Sequence, residues 1–214
     1  MSGGTKYTEC SPKGMFLGML GDAGEALNKC PMRRSTDAHL LFILHLCDRG
    51  RISRMTLAAE TGLTDGCIRT ALRHLRSIGM IETKHTGSVL TPAGEEFIAG
   101  MGIGIPDAKP SGIAEGDCNA VLLAHGKGHL MTDCLGIRDA AMKADAKGCI
   151  PFLMENGKIR SPYYDSVGVE YPDLTELSQE IGMKNGDAAV VCGADTVPEA
   201  YVAAFASMIR LLGC

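Results

Sequence analysis

The sequence predicts an α+β fold in two units. Residues 35–100 read as three helices followed by a hairpin, and residues 118–214 as a small α/β-type unit. Three observations lead there. Apolar positions between Thr36 and Ile78 recur at helical spacing and then give way to two short strand-like runs. Beyond residue 118, strand-like and helix-like stretches alternate. Between the two, Met101–Gly116 is rich in Gly and Pro and holds neither period, so residues 101–117 read as the junction.

Composition narrows the class further. Of 214 residues, 45% are apolar and 21% charged, an ordinary globular composition that argues against disorder. Trp is absent, so the cores are expected to be built from Leu, Ile, Val, Met and Ala. No apolar stretch reaches the roughly 18 residues that span a bilayer. Met1–Glu9 lacks the apolar region of a secretory signal. The expectation is a soluble, cytoplasmic protein with no membrane partner. Nine cysteines occur without a single Cys-x-x-Cys pair, which argues against structural zinc and for small buried thiols in a reducing compartment. Charge divides unevenly. Residues 1–100 hold 12 Lys/Arg and 10 Asp/Glu, a balance of +2; residues 101–214 hold 9 and 15, a balance of −6. Only the first half suits a polyanion.

Each element then has its own signal. Residues 1–34 form an N-terminal arm with one short helix, Met15–Leu27, weakened by Gly18, Gly21 and Gly24. Thr36–Asp48 places Leu40, Leu41, Leu44 and Cys47 at helical spacing. Arg54–Thr61 is a short helix closed by Gly62. Thr64 caps a third helix that runs to Ile78 and stops at Gly79. Its buried stripe is Ile68, Leu72 and Leu75. Ile81–His85 and Ser88–Thr91 are strands around Thr86-Gly87, and Pro92–Ala99 is a helical turn or two. In the second unit, Ala120–Ala124 is a strand and Gly136–Lys147 an Ala-rich helix ended by Gly148. Cys149–Met154 and Lys158–Ser161 form a hairpin around Glu155-Asn156-Gly157. Leu174–Ile181 is a helix, Ala188–Cys192 a buried strand and Val197–Leu212 the last helix.

One constellation carries chemistry. Leu57–Thr64 joins two helices by a tight Gly-containing turn, the pattern in which one helix braces and the next enters the major groove. Opposite the apolar stripe of that next helix, Arg69, Arg73 and Arg76 recur at i, i+4 and i+7. Thr64, Gly66 and Thr70 lie near its start. Arg pairs bidentately with guanine or clamps phosphate, and a small residue lets the helix sit close to the backbone. Lys84 and His85 near the hairpin tip are placed for phosphate or the minor groove. A third helix followed by such a hairpin is a winged helix-turn-helix.

Arg49–Ile98 resembles the archaeal winged-helix regulators. Gly66-Cys67-Ile68-Arg69-Thr70-Ala71-Leu72 is similar to their recognition-helix signature, and Leu90-Thr91-Pro92-Ala93-Gly94 to the motif after the wing. The whole chain resembles a family of archaeal proteins that joins this module to a C-terminal domain of unknown function. Gly136-Ile137-Arg138-Asp139-Ala140-Ala141 resembles the Arg-Asp-Ala signature of that family. The resemblance implies DNA binding and no established chemistry for the second unit.

Three features of the second unit are candidate sites. Arg138-Asp139 at the start of a helix suits a carboxylate or phosphate, against the simpler account of an Asp139–Lys143 pair. His125 and His129, with Asp133 and Cys134 beyond, are metal-capable, but Gly126 and Gly128 make the segment a loop rather than a ligand helix. Gly193-Ala194-Asp195-Thr196 after a strand suits an anion, yet Thr196, Glu199 and Pro198 explain it as a helix cap. No P-loop, dinucleotide fingerprint, His-Glu-x-x-His or Gly-x-Ser-x-Gly elbow occurs. The expectation is therefore a transcription regulator, not an enzyme, with no catalytic residue, no cofactor and no metal. Its DNA-binding residues are Thr64, Gly66, Arg69, Thr70, Arg73, Arg76, Lys84 and His85, and its candidate ligand residues Arg138 and Asp139. Its expected partners are double-stranded DNA, a second copy in a homodimer, and a small-molecule effector. An enzyme with an accessory winged helix and a protein–protein adaptor are the alternatives.

Overall fold

The computed structural model describes residues 36–162 and 171–213. The expected N-terminal arm and its Met15–Leu27 helix lie outside the described residues. The rest is an α+β fold that begins with helix α1, Thr36–Asp48. Ala38 to Cys47 are all buried, so α1 is enclosed on every side rather than along the stripe its spacing suggested. It packs against α2 (Arg54–Thr61), α4 (Pro92–Met101) and the second strand of the hairpin that precedes α4.

Helix α2 is capped by the Ser53 hydroxyl, which accepts from the Thr56 amide, and ends at Gly62. Helix α3, Asp65–Ser77, follows after one short turn, and the Thr64 hydroxyl accepts from the Cys67 amide at its start. Cys67, Ile68, Ala71, Leu72 and Leu75 form its buried arc. Strands β1 (Ile81–Lys84) and β2 (Gly87–Leu90) pair antiparallel from Ile81↔Leu90 to Lys84↔Gly87. Ile52, just before α2, adds a bridge to Ser88 on the far side of β2. Gly87 is required there: its φ is +138°, and a Cβ would sit 2.4 Å from the Ile52 carbonyl oxygen.

The second unit is built on a five-stranded sheet in the order β3-β4-β7-β5-β6, each neighbouring pair antiparallel. The strands are Ile103–Gly104, Cys118–Ala124, Gly148–Glu155, Lys158–Arg160 and Ala188–Ala194 for β3 to β7. Strand β3 comes from the stretch read as pure junction; it is two residues long, too short for any period to register. Strands β4 and β7 pair over seven residues, from Cys118↔Ala194 to Ala124↔Ala188. Both faces of the sheet are covered, which is why these strands are runs of apolar residues rather than alternations. Leu122, Val190 and Cys192 face helices α5 (Cys134–Lys143) and α7 (Val197–Leu211). Val121, Leu123, Phe152 and Val191 pack with Leu174 and Leu177 of helix α6, Pro172–Glu180.

Helix α5 starts two residues before, and ends four residues before, the Gly136–Lys147 expected. Asp133 caps it by accepting from the Gly136 amide, and the chain leaves the helix at Ala144 and turns at Asp145, whose φ is +67°. Gly148, expected as a helix stop, opens β5 instead. The β5–β6 turn is Asn156-Gly157 with φ of 51° and 72°, the positive pair that a two-residue hairpin demands.

Helix α7 lies between the sheet and α1, and eight of its residues, including Val202, Phe205, Met208 and Leu211, are buried. A helix apolar on all sides belongs in such a middle layer. Phe42 of α1 stacks on both Tyr201 and Phe205 of α7, with ring centroids 5.3 and 5.2 Å apart. One core therefore runs from α1 through α7 into the sheet. Cys47, Cys118, Cys134, Cys149 and Cys192 are free thiols, four of them buried, whereas Cys67 is disulfide-bonded and so departs from the uniformly reduced set expected. No described helix is long and apolar enough to cross a membrane.

A candidate nucleic-acid interface and a cavity beside Arg138

The arc of α3 opposite its buried residues is solvent-exposed. Gly66, Arg69, Arg73 and Arg76 all lie on it, with Thr70 half-buried at its margin. Thr70 is committed locally, since its hydroxyl donates to the Gly66 carbonyl at 3.1 Å. Arg69 pairs with Asp65 one turn earlier at 3.1 Å, and Arg54 of α2 approaches the same carboxylate at 3.8 Å. Such exposed pairs are weak and exchange readily for another anion. Arg73 and Arg76 form no ion pair with another described residue. Thr64 is spent on the helix cap.

The hairpin places Lys84, His85 and Thr86 in the solvent. Lys84 pairs with Glu82 at 2.7 Å, and the Lys84 bond and charge, with Arg51 nearby, hold the Glu82 carboxyl below its usual range. Arg51 donates to the Thr86 hydroxyl, so a cation from the α1–α2 connection stands at the hairpin turn. Arg51 escaped the sequence reading because the Ile52–Ser88 bridge that brings it there joins distant segments. Its signal was only an Arg beside a β-branched residue.

In the second unit, Arg138 and Asp139 part company. Arg138 lines a cavity of about 590 Å³ together with Cys134 and Leu135 of α5, Cys149 and Ile150 of β5, Lys147, Ser161 and Tyr171. Asp139 is exposed and does not line it, and the expected Asp139–Lys143 pair is not formed. Lys147 is engaged by Asp195, and this bond raises its pKa. The cavity wall sets the Arg138 guanidinium and the Glu115 carboxylate among apolar side chains and thiols, a lining suited to a small polar molecule that Arg138 could hold by an anionic group.

The metal-capable loop is dispersed. His125 faces Asp187 at 3.6 Å, and the buried Asp187 carboxylate accepts from the amides of Gly126 and Lys184 at 2.8 and 2.9 Å. Asp133 is bonded to Arg210 and to the Gly136 amide, which together lower its pKa. His129 lines a separate cavity of about 470 Å³ with Arg160 and Asn185. Among the described residues no three His, Cys, Asp or Glu side chains converge as a metal group. The turn after β7 is a helix cap: the Thr196 hydroxyl accepts from the Glu199 amide.

Residues 115–211 match a family model described as a domain of unknown function, DUF4443. That span runs from just before β4 to the last turn of α7. A solved structure of a hypothetical protein from Pyrococcus horikoshii OT3 is similar, with a TM-score of 0.64 and 22% identity. The likeness covers 82% of this chain and 92% of that one, and it is a likeness of fold. No curated protein matches.

Proposed function

We propose that residues 35–100 act as a winged helix-turn-helix that binds double-stranded DNA, and that the protein is a transcription regulator. The observation that carries this reading is the exposed arc of α3, where Gly66, Arg69, Arg73 and Arg76 line up opposite a fully apolar buried arc. On this reading α3 enters the major groove. Arg69 and Arg73 contact guanine edges or phosphate, and Gly66 allows close approach. Lys84, His85 and Arg51 meet the flanking backbone from the hairpin. Asp65 releases Arg69 when a phosphate or base competes for it.

The second unit takes the input. An effector in the cavity beside Arg138 touches α5 and β5, α5 packs on α7, and α7 stacks on α1 through Phe42. A second copy docked through this unit would set the spacing of two reading helices, so a ligand favouring one spacing shifts DNA affinity.

The test is binding to a random duplex across a salt series, followed by fluorescence anisotropy. Wild type is expected to bind with an affinity that falls linearly on a log–log salt plot, as counterion release requires. The Arg69→Ala/Arg73→Ala pair is expected to bind more weakly with a shallower slope. Identical curves for the two proteins would remove α3 as the DNA contact.

A further inference from the structure

We infer that Cys149 and Cys192 form a peroxide-reactive thiol pair, with Cys149 as the attacking thiol and Cys192 as the resolving one. The two are direct cross-strand partners on the antiparallel β5–β7 ladder. Cα atoms at such positions stand about 4.5–5.5 Å apart, inside the range a disulfide spans. Both thiols also reach one hydroxyl: Ser207 Oγ of α7 lies 3.6 Å from Cys149 Sγ and 3.8 Å from Cys192 Sγ. That hydroxyl donates onward to the Ile137 carbonyl of α5, so its position is held from a third element.

The partners are not equivalent. Cys149 lines the 590 Å³ cavity, whereas Cys192 is wholly buried beneath α7. The Cys149 pKa is lowered, first by the bond from Cys192 and also by the charge of Arg138, against the opposing effect of burial. The Cys192 thiol is pushed up, first by burial. A lowered pKa, an approach route from the cavity and a cross-strand partner thiol therefore coincide at Cys149, the features that favour reaction with an oxidant.

The oxidant class is a small hydroperoxide. The Cys149 thiolate attacks one peroxide oxygen; an S–O bond forms, the O–O bond breaks, and the departing oxygen leaves as water or alcohol after taking a proton. Cys192 then attacks the resulting sulfenic sulfur. An S–S bond forms, the S–O bond breaks, and the hydroxyl leaves as water with the Cys192 proton. Two thiols are oxidised by two electrons and one peroxide is reduced.

The experiment uses the full-length protein, reduced and then freed of reductant. It is treated with hydrogen peroxide, blocked with N-ethylmaleimide and mapped by peptide mass spectrometry. The expected product is a Cys149–Cys192 linked peptide lighter by two hydrogens, formed while Cys118 still carries the blocking group. In Cys192→Ser, dimedone should label Cys149; in Cys149→Ser, Cys192 should remain a thiol. If either variant fails to fold, the wild-type map decides alone. Oxidation of Cys118 with the pair left reduced would overturn the inference, as would a Cys149–Cys134 link.

Discussion

Phe42 and Phe205 stack with ring centroids 5.2 Å apart and an interplanar angle of 29°. The first belongs to the central helix of the N-terminal unit and the second to the last helix of the chain. Both rings are buried. This contact makes the junction between the two units a piece of core rather than a hinge, because α7 is shared by the sheet and α1.

Phe205→Ala is therefore expected to weaken the whole molecule. A large-to-small change at such a site costs about 3–5 kcal/mol. Urea unfolding, followed by far-UV circular dichroism, should give one transition in the wild type and one transition at lower urea in the variant. A variant that loses only a fraction of its signal at the lower midpoint would show two units unfolding separately.

Arg73→Ala should discriminate between base reading and phosphate contact. A bidentate base contact predicts a loss of about 1–3 kcal/mol on the preferred site and little on random DNA. A phosphate contact predicts the same loss on both, with a salt slope smaller by about one. Titrations of the two duplexes at several salt concentrations separate the outcomes. Stability should be unchanged, because the side chain is exposed and makes no described ion pair.

Gly87→Ala tests the hairpin. The left-handed φ alone costs about 1–3 kcal/mol in a residue with a side chain. The added methyl also meets the Ile52 carbonyl, which must move and break the bridge holding Arg51 near Thr86. The expected result is a lower melting temperature together with weaker DNA binding. Weaker stability with DNA affinity intact would exclude the hairpin from the interface.

His45 sets an acid limit on stability. It is buried against Phe205, its Nε2 atom has no hydrogen-bond partner among the described residues, and burial, then the charge of Arg49, lowers its pKa from 6.5 to about 4. The folded state thus holds a neutral imidazole where the unfolded chain takes up a proton. Its contribution is fully present above pH 6.5 and is lost as the pH falls towards 4. The shift corresponds to about 3 kcal/mol across that window. His45→Phe should flatten the acid limb of a stability–pH profile between those values while leaving the neutral plateau within reach of wild type. An unchanged acid limb would place the acid sensitivity elsewhere.

How much of this was legible in the sequence follows from where each residue gets its environment. Helix α3 was readable because it lies on the surface: Ile68, Leu72 and Leu75 on one side and three arginines on the other describe both faces at once. The order of helices and hairpin in the first unit was readable from Gly62, Gly79 and the Thr86-Gly87 turn. Helix α1 was only half readable, since its second apolar side is answered by α7 from the far end of the chain. Strand β3 was too short to carry a pattern. The start of α5 was misplaced because Asp133, the side chain that caps it, was read as a member of a metal-capable loop. Arg138 lines the cavity and Asp139 does not, because adjacent helical residues point in different directions. The Cys149–Cys192 pair is a matter of strand register, which neither cysteine announces locally.

The measurement that bears most directly on the regulator reading is genomic. The protein is incubated with fragmented DNA from its own source organism, the retained fragments are sequenced, and the Arg69→Ala/Arg73→Ala variant is run in parallel. Enrichment of a short shared site by the wild type, lost in the variant, is the predicted result. Retention of no DNA at low or moderate salt, or equal enrichment by both proteins, would contradict it.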